Sequence, residues 1–266
     1  MAYRHFKSSK ASQQSSRRSH HEDQGRLDLV YGKNPVYEAL RAGRRRVKQV
    51  LVLENDPQMD GTPLVKLARE KGVACQQRRF KELTDLTMGA AHQGVVAYVE
   101  KFPPYTLDEV LGREAPKQLV LALDCIQDPQ NFGTLCRSAL CFGVTEIILP
   151  KDRSVSVTSA VCKASAGAVE HLKIIYVTNL SRTLDEFKER GFWVYGASLD
   201  KTALDLNKVE PAHKSVIVLG SEGSGLRRLV AEKCDHLVKI EMTTTFDSLN
   251  VAQAGTVLLY KFARML

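Results

Sequence analysis

Residues 119–142, LVLALDCIQDPQNFGTLCRSALCF, decide the fold class because they contain one complete strand–loop–helix unit. The apolar run 119–123 is typical of a strand that is buried on both faces. A polar loop follows, in which Pro129 shapes the turn and Asp128 or Asn131 can cap a helix, since both residue types are favoured at N-caps. The apolar stretch at about 131–142 then predicts the helix itself.

The same alternation continues to the end of the chain. Between the apolar runs lie stretches that are compatible with helices. The pattern predicts an α/β domain built on a parallel sheet, whose ligands bind in loops beyond the carboxyl ends of the strands. The predicted strands are 119–123, 146–149, 172–177, 192–196, 215–219 and 237–241, and the predicted helices are about 131–142, 158–168, 181–190, 226–233 and 250–264.

A smaller α/β pattern precedes this domain. It predicts a helix at 34–42 with Asn34 as N-cap and Pro35 at the first helical position, a strand at 47–53, a helix at 63–71 opened by Pro63, and a strand at 95–99. Prolines at 103, 104 and 116 are typical of a linker, here with a short helical piece inside it. We therefore predict a flexible basic tail at 1–26, a small domain at 27–103, a linker at 104–117 and a larger domain at 118–266.

Composition excludes several protein classes. The chain has 266 residues, 44% hydrophobic and 26% charged, so it can bury a core. No run of 18 apolar residues is present, which argues against a membrane span, and the polar N-terminus argues against a secretory signal. A mitochondrial transit peptide remains an alternative for the Arg- and Ser-rich residues 1–21, but we predict a cytoplasmic protein. The six scattered cysteines lack metal-ligand spacing and predict reduced thiols, without zinc or disulfides.

The charge distribution points to a polyanionic partner. The formal net charge is +8, and residues 1–26 carry six basic and two acidic residues, residues 27–103 carry 13 and 9, and residues 104–266 carry 19 and 19. The whole excess therefore lies in the first 103 residues, where Arg44, Arg45, Arg46 and Lys48 form a compact cluster. This favours nucleic-acid binding. The alternative is that the excess only aids solubility.

Arg137 is the unusual residue of the first loop and its helix. It follows the loop by about one and a half turns, within the apolar segment CRSALCFGV. A buried guanidinium without a partner is very costly, so Arg137 is expected to reach an anion or a buried partner.

Two later loops also carry candidate functional residues. After strand 215–219 the chain reads GSEGSGL, a G-x-x-G-x-G spacing that matches neither the dinucleotide fingerprint nor the phosphate loop. Its glycines allow close backbone approach to a ligand, and Glu222 suits a cationic or hydroxyl-bearing ligand better than a phosphate. After strand 237–241 the chain reads MTTTFDSLNVAQAG, where either Ser248 or Asn250 can cap the last helix and the other is available to a substrate.

The three loops, in this order, resemble the SpoU (TrmH-like) branch of the SPOUT RNA methyltransferases. The motifs are DPQNFGTLCR, VIVLGSEGSGL and IEMTTTFDSLNVAQA, within residues 118–266. YGKNPVYEAL at 31–40 and HQGVVA at 92–97 look like the L30e-like substrate-binding domain of many members. This combination is similar to the bacterial 23S ribosomal RNA guanosine-2′-O-methyltransferases.

The resemblance implies a specific fold and activity. The fold is a parallel-sheet α/β domain whose C-terminal part threads a deep trefoil knot, an exception to the usual absence of knots. Implied partners are S-adenosylmethionine, ribosomal RNA and a second copy of the chain, with active sites at the homodimer interface and no metal. The positions matching cofactor contacts are Gly220, Ile240 and Leu249. The positions matching catalytic residues are Asn131, Arg137, Glu222, Ser248 and Asn250.

Each matching residue has an implied role. Arg137 is expected to touch the ribose O2′ and a neighbouring phosphate, either as the base of the family mechanism or as an electrostatic stabiliser of the developing alkoxide. Ser248 and Asn250 would orient Arg137 or the ribose, Asn131 would hold loop and substrate, and Glu222 would fix the glycine loop. The chain departs from the family where it usually has Pro and Gly, at Glu241 and Thr244. Thr resists positive φ and blocks close backbone approach.

Three other functions stay open from the sequence. One is methylation of transfer RNA, or of an adenosine in ribosomal RNA. Another is a non-catalytic RNA-binding or ribosome-assembly protein. The third, a nucleotide-dependent oxidoreductase, is disfavoured by the glycine spacing.

Overall fold

The structure is a computed structural model that describes residues 27–57, 59–103, 105–200, 202–243 and 248–264. The predicted tail 1–26 and Thr244 lie outside the described residues. The chain folds as two compact units that divide between Phe102 and Pro103.

The first unit is a four-stranded sheet with helices. The spatial order of its strands is β1-β4-β2-β3, in which β4 pairs antiparallel with β1 and β2, while β2 and β3 are parallel. The elements are β1 (Asp28–Tyr31), α1 (Lys33–Ala42), β2 (Val47–Leu53), α2 (Pro63–Glu70), β3 (Ala74–Arg78), α3 (Phe80–Leu86) and β4 (Val95–Val99).

The start of α1 corrects one prediction. Asn34 is not the N-cap, because the helix already begins at Lys33 and Gly32 occupies the cap position with φ 99°. The Gly32 carbonyl accepts a hydrogen bond from the backbone N–H of Val36 at 3.2 Å. A positive φ of this kind suits glycine and no other residue well, so the helix cap lies two residues before Asn34.

The basic cluster at 44–48 is partly structural, and its predicted binding of nucleic acid stays a prediction. Arg45 is only 4% exposed. Its Nη1 lies 3.3 Å from Asp28 Oδ2, and its guanidinium carbon lies 5.5 Å from the centre of the Phe102 ring. Lys48 Nζ lies 2.9 Å from Glu100 Oε1. Two of the four cations therefore hold β1, β2 and the end of β4 together.

The second unit is a seven-stranded sheet in which every pairing is parallel. The spatial order is β7-β6-β5-β10-β8-β11-β9. Its strands are β5 (Gln118–Leu123), β6 (Glu146–Pro150), β7 (Lys173–Val177), β8 (Trp193–Ala197), β9 (Leu204–Asp205), β10 (Lys214–Leu219) and β11 (His236–Lys239). Its helices are α4 (Asp108–Leu111), α5 (Pro129–Cys141), α6 (Ser159–Ala164), α7 (Leu180–Glu189), α8 (Arg228–Ala231) and α9 (Val251–Ala263).

The core of this unit explains why its strands read as continuous apolar runs. All six residues of β5 and all five of β6 are buried, as expected for central parallel strands covered by helices on both faces. One core cluster packs Phe187 and Phe192 edge to face, with ring centres 5.0 Å apart. The predicted α/β fold with a parallel sheet is confirmed.

Some predicted boundaries of this unit were wrong. The helix predicted at 158–168 ends at Ala164, and a separate 3-10 turn follows at Ala168–His171. The positive φ of 89° at Gly167 separates the two. The helix predicted at 226–233 is a single turn, Arg228–Ala231, and the strand predicted at 237–241 ends at Lys239.

Strand β10 has an unusual place in the sheet. It lies between β5 and β8, and both of these precede it in the chain. Its register runs from Lys214 opposite Gln118 to Leu219 opposite Leu123. The centre of the sheet is therefore completed by a strand that is synthesised late.

The predicted linker is not a loose connection. Val110 of α4 is fully buried in the core cluster of the second unit, and Tyr105, Leu107 and Leu111 pack against the same cluster. Tyr105 also forms an isolated parallel bridge with Ile175 of β7. In the part of the chain that the structure describes, no helix is long and apolar enough to cross a membrane.

Candidate active site

The candidate active site is a cavity of about 740 Å³ at the carboxyl ends of β8, β10 and β11. Loops after each of these strands line it, together with the first half of α9. Ligands of parallel α/β sheets bind at this end of the sheet, and the volume falls in the range of small-molecule sites. The charged side chains among the described lining residues are Asp200 and Glu222, both acidic.

The glycine turn at 220–225 forms one wall of the cavity. The backbone N–H of Ser221 donates to the carbonyl of Gly225 at 3.1 Å, and the N–H of Gly225 donates back to the carbonyl of Ser221 at 3.0 Å. A Cβ on Gly220 would lie 2.2 Å from the backbone carbon of Gly225. Gly220 is therefore required by the closure of the turn itself, a use of glycine that differs from the predicted close approach to a ligand.

Three of the predicted catalytic residues are joined by hydrogen bonds although they lie far apart in sequence. Asn131 Nδ2 donates to Glu222 Oε1 at 3.2 Å. Asn250 Nδ2 donates to Asn131 Oδ1 at 2.9 Å and also to Glu222 Oε1 at 2.5 Å. One carboxylate thus links the start of α5, the glycine turn and the start of α9.

Helix caps place the two asparagines in this network. The side chain of Asp128 accepts the backbone N–H of Asn131 at 2.8 Å, and Pro129 occupies the first turn, so α5 begins where Asn131 faces Glu222. Asn250 is the N-cap of α9, and its Oδ1 accepts the N–H of Ala252 at 2.9 Å. Its Oδ1 therefore caps the helix, while its Nδ2 donates to Asn131 and Glu222.

The other predicted residues are distributed differently. Ser248, Leu249 and Ile240 line the cavity. Arg137 does not line it, and it lies on the exposed face of α5. Its guanidinium is therefore not buried, and the expectation that Arg137 reaches an anion stays a prediction. Among the described residues no hydrogen bond or ion pair involves the Arg137 side chain.

Sequence reasoning missed an ion pair beside the glycine turn. Asp124 directly follows β5 and is fully buried, and its Oδ1 accepts from Arg227 Nε at 2.7 Å. Its Oδ2 accepts the backbone N–H of Arg227 at 2.8 Å. The hydrogen bond from its side chain to Asp124 raises the pKa of the Arg227 guanidinium above its ordinary value. The pair fixes the exit of the glycine turn to the end of the neighbouring strand.

The loop after β8 was missed as well. Leu199 and Asp200 line the cavity, and Asp200 Oδ1 accepts from the Thr202 N–H at 2.7 Å and from the Thr202 hydroxyl at 2.6 Å. The Thr202 hydroxyl and then its backbone N–H lower the pKa of the Asp200 carboxyl. The signal that could have found this loop is its position after a predicted strand.

The segments that contain these residues also match known protein families. Residues 118–260 match the SpoU rRNA Methylase family, and residues 29–105 match the family described as RNA 2′-O ribose methyltransferase substrate binding. The chain belongs to the SpoU rRNA methylase family. The methylase match covers the cavity, the hydrogen-bonded network and Arg137, and the substrate-binding match covers nearly all of the described part of the first unit.

Two relatives match this SpoU chain over most of its length. The 23S rRNA (guanosine-2′-O-)-methyltransferase RlmB of Pseudomonas syringae is 38% identical over 90% of this chain and 96% of its own. YacO of Bacillus subtilis, named for the TrmH family of tRNA/rRNA methyltransferases, is 38% identical over 89% of this chain and 95% of its own. A solved structure, an AdoMet-bound rRNA methyltransferase from Sinorhizobium meliloti, shares the fold with a TM-score of 0.75 at 24% identity. It covers 93% of this chain and 91% of its own.

The described residues of this SpoU chain contain no group of three or more His, Cys, Asp or Glu side chains that could hold a metal ion. Burial raises the pKa of the Cys136 thiol well above its ordinary value and that of Cys234 to about 12. These thiols are therefore protonated at neutral pH and unsuited to nucleophilic attack.

Proposed function

We propose that this chain transfers a methyl group from S-adenosylmethionine to the 2′-hydroxyl of a ribose in 23S ribosomal RNA, at a guanosine. The observation that carries the proposal is the hydrogen-bonded set Asn131, Glu222 and Asn250 beside the cavity. Family membership and the RlmB relative, which is named for this reaction, support the substrate. We also propose that the protein works in the cytoplasm, where bacterial ribosomal RNA is modified.

The cavity fits S-adenosylmethionine by size and by charge. Its volume suits a ligand of this size, and apolar side chains of β11 and α9 offer a surface for the adenine ring. S-adenosylmethionine carries two positive groups, a sulfonium and an ammonium, and one negative carboxylate. The acidic side chains of Asp200 and Glu222 complement this net positive charge. Gly220, Ile240 and Leu249 would hold it, mainly through backbone groups. When bound, it supplies an electrophilic methyl group.

The residues of the chain would position the acceptor ribose. Glu222 accepts hydrogen bonds from both asparagine side chains and thereby fixes the orientation of Asn131 and Asn250. Holding a hydroxyl in the correct geometry supplies a large part of the acceleration of such a transfer, up to roughly 7–11 kcal/mol. Ser248, on the cavity wall, is placed to orient the ribose.

Arg137 would contact the target nucleotide. It is exposed and has no partner among the described residues, so its guanidinium is available to a phosphate or to the ribose O2′. A guanidinium is protonated at neutral pH, which favours stabilisation of the developing alkoxide over removal of the proton.

A homodimer formed through helices α5 and α9 is part of the proposal. The helices contact each other through the Ser138 and Thr256 hydroxyls, 2.7 Å apart. Next to this contact Val257 and Tyr260 are exposed by 40% and 59%. Pairing of two chains here would cover these apolar side chains and bring Arg137 to the interface. We expect a dimer in sedimentation equilibrium, and a monomer for Tyr260→Asp.

We further propose that the second unit threads a trefoil knot. Membership of the SpoU family supports this proposal, and β10, which lies between two strands that precede it, shows that the chain returns to the centre of the sheet.

The experiment that tests the function incubates the full chain and methyl-labelled S-adenosylmethionine with unmodified 23S ribosomal RNA, and maps the 2′-O-methyl positions. We expect one guanosine to be labelled, and Arg137→Ala to be inactive while its affinity for the cofactor is unchanged in calorimetry. Activity of Arg137→Ala within tenfold of the unchanged chain would refute the role of Arg137.

The competing functions give different outcomes in the same assay. Label in a parallel reaction with transfer RNA, and none in ribosomal RNA, would contradict the proposed substrate. A non-catalytic assembly protein would bind ribosomal RNA, but it would show no heat of cofactor binding in calorimetry and would transfer no label to the RNA. The name of YacO covers both RNA classes, so the transfer RNA reaction belongs in the experiment.

A further inference from the structure

The corner where β3 runs into α3 carries four residues that the proposed reaction leaves without a role. They are Arg78, Arg79, Phe80 and Lys81, named here the corner surface. Phe80 is 62% exposed, which is unusual for a phenylalanine, and Arg79 and Lys81 are exposed beside it. Strand β3 is an edge strand of the four-stranded sheet, so nothing in this sheet covers its outer side.

The Phe80 ring is held in place from one side. Its centre lies 4.9 Å from that of the His92 ring, at an angle of 51° between the planes. The His92 ring is itself fixed, because its Nε2 lies 3.2 Å from the Thr84 hydroxyl and its Nδ1 accepts the Gly94 N–H at 3.1 Å. An exposed ring on a rigid support is a suitable platform for stacking.

The cations of the corner surface are not neutralised by carboxylates. The Arg78 guanidinium donates to the Gln77 carbonyl at 2.8 Å and to Gln76 Oε1 at 2.7 Å, which are both uncharged acceptors. Within the described residues, no ion pair involves the side chains of Arg78, Arg79 or Lys81. The nearest acid in sequence, Glu82, accepts the backbone N–H of Arg79 at 2.9 Å.

The surface extends towards a further cation. Gln93, next to His92, accepts the backbone N–H of Lys33 at 3.3 Å, and both residues are exposed. The predicted cluster at 44–48 differs from this arrangement, because Arg45 and Lys48 have carboxylate partners. Arg78, Arg79 and Lys81 are therefore among the cations of the first unit that have no carboxylate partner.

Uncompensated cations around an exposed aromatic ring fit one kind of partner well. The cations attract phosphates, and the ring offers a face on which a base can stack. In a duplex the base faces are already stacked on one another, so a single exposed ring favours an unpaired nucleotide.

We infer that the corner surface binds an unpaired stretch of RNA, with a base stacked on Phe80 and neighbouring phosphates contacted by Arg78, Arg79 and Lys81. This inference rests on the proposed function for the identity of the polymer. It assigns to the first unit the recognition of single-stranded nucleotides of the substrate.

The test measures binding of the full chain to a fluorescent 12-nucleotide uridine strand and to a 12-base-pair RNA duplex by anisotropy. Phe80→Ala is expected to weaken binding of the single strand about tenfold, and Phe80→Trp to keep it. Phe80→Leu keeps the apolar area without the aromatic face, and it is expected to bind as weakly as Phe80→Ala. For Arg79→Ala with Lys81→Ala, the slope of log affinity against log salt should fall by about 1.4.

The matched control is Lys66→Ala with Lys71→Ala, which removes two exposed cations on the separate helix α2 and its cap. This variant should bind the single strand within about threefold of the unchanged chain. Wild-type binding by Phe80→Ala or by Phe80→Leu, a preference of the unchanged chain for the duplex, or an equal loss in the control would each overturn the inference. An altered sedimentation coefficient of Phe80→Ala with unchanged RNA affinity would do the same, since it assigns the ring to a protein contact.

Failure of the proposed function has a different signature. A chain that binds the uridine strand through Phe80 but never labels ribosomal or transfer RNA would lack the enzyme activity and keep the corner surface. A chain that labels ribosomal RNA equally well with and without the Phe80 ring, and binds the strand equally, would keep the activity and lose the corner surface.

Discussion

Glu222 Oε1 accepts hydrogen bonds from two asparagines that belong to different helices, so this one atom sets the geometry of the site. Glu222→Ala removes the acceptor and is expected to lower kcat about 100-fold, the size of effect that a misplacement of about 1 Å produces. Glu222→Gln keeps an oxygen at the same place and should retain more than a tenth of the activity. The residue is exposed, so the melting temperature should change little in both variants.

Single-turnover methylation of ribosomal RNA measures both variants, with differential scanning calorimetry as the control for folding. Equal loss in Glu222→Gln and Glu222→Ala would show that the negative charge, and not the hydrogen-bond acceptor, is what matters.

The resemblance of the three motifs to the SpoU family singled out Asn131, Glu222 and Asn250, and the fold joins these three side chains by hydrogen bonds. Burial was harder to predict. Arg137 lies in an apolar segment, yet the buried positions of α5 include 132, 133, 135, 136 and 139, and position 137 falls on the other side of the helix. The Asp124–Arg227 pair joins residues 103 positions apart, and no local pattern carries that information.

At the scale of the element, the glycine turn has one position that tolerates no side chain and one that does. Gly220→Ala would place a Cβ 2.2 Å from backbone carbon of Gly225, which cannot move aside without opening the turn. Gly223 has a φ of 84° but open space around it, so Gly223→Asn should be accepted, because asparagine tolerates this conformation.

We expect Gly220→Ala to weaken S-adenosylmethionine binding by at least about tenfold, and Gly223→Asn to leave it within about threefold, in isothermal titration calorimetry. The reverse order of the two affinities would contradict the view that closure of the turn shapes the cavity.

Arg228, the next residue in the chain, provides a control for the ion pair between Asp124 and Arg227. Arg227→Ala leaves the buried Asp124 carboxylate without its guanidinium. Because Arg227 itself is 46% exposed and the backbone N–H at 227 still donates, we expect a loss of about 1–3 kcal/mol, below the range for fully buried pairs. Arg228 pairs with Glu232 on the surface, so Arg228→Ala should cost less than about 0.5 kcal/mol.

Urea denaturation followed by circular dichroism compares the two variants at neutral pH. Equal free energies of unfolding for Arg227→Ala and Arg228→Ala would mean that the buried carboxylate is satisfied by the backbone alone.

Among the elements, long apolar runs were predicted well and short polar ones were not. Strand β3 reads ACQQR and β1 has four residues, so neither has the alternation or the length that identifies a strand from sequence. Helix α3 has seven residues and one buried side chain, Leu83, which gives no helical periodicity. Their places are set by pairing with β2 and β4 and by the contact of Leu83 with Leu51 and Val96.

At the scale of the whole molecule, the two compact units divide the work expected of the enzyme. A chain of residues 103–266 contains the cavity and the hydrogen-bonded network. Its formal net charge is zero, because residues 104–266 carry 19 basic and 19 acidic residues. We expect it to bind S-adenosylmethionine within about threefold of the full chain. Its affinity for ribosomal RNA at 0.15 M salt should fall by at least about tenfold, because the basic excess is removed.

Calorimetry and filter binding measure these two affinities. Unchanged RNA affinity in the shortened chain would contradict the assignment of RNA binding to the first unit. Lost cofactor binding with a native circular dichroism spectrum would mean that the first unit contributes to the cavity.

The place of β10 has a consequence for biosynthesis. While a ribosome has released only the residues before 214, β5 and β8 have both left it, but β10, the strand that pairs with both, has not. The sheet therefore cannot form across its centre. Walls of the cavity come from loops after β8, β10 and β11 and from α9, so the pocket is complete only after residue 258 has emerged. A nascent chain that ends before α9 thus lacks one wall of the cavity, and we expect it not to bind the cofactor.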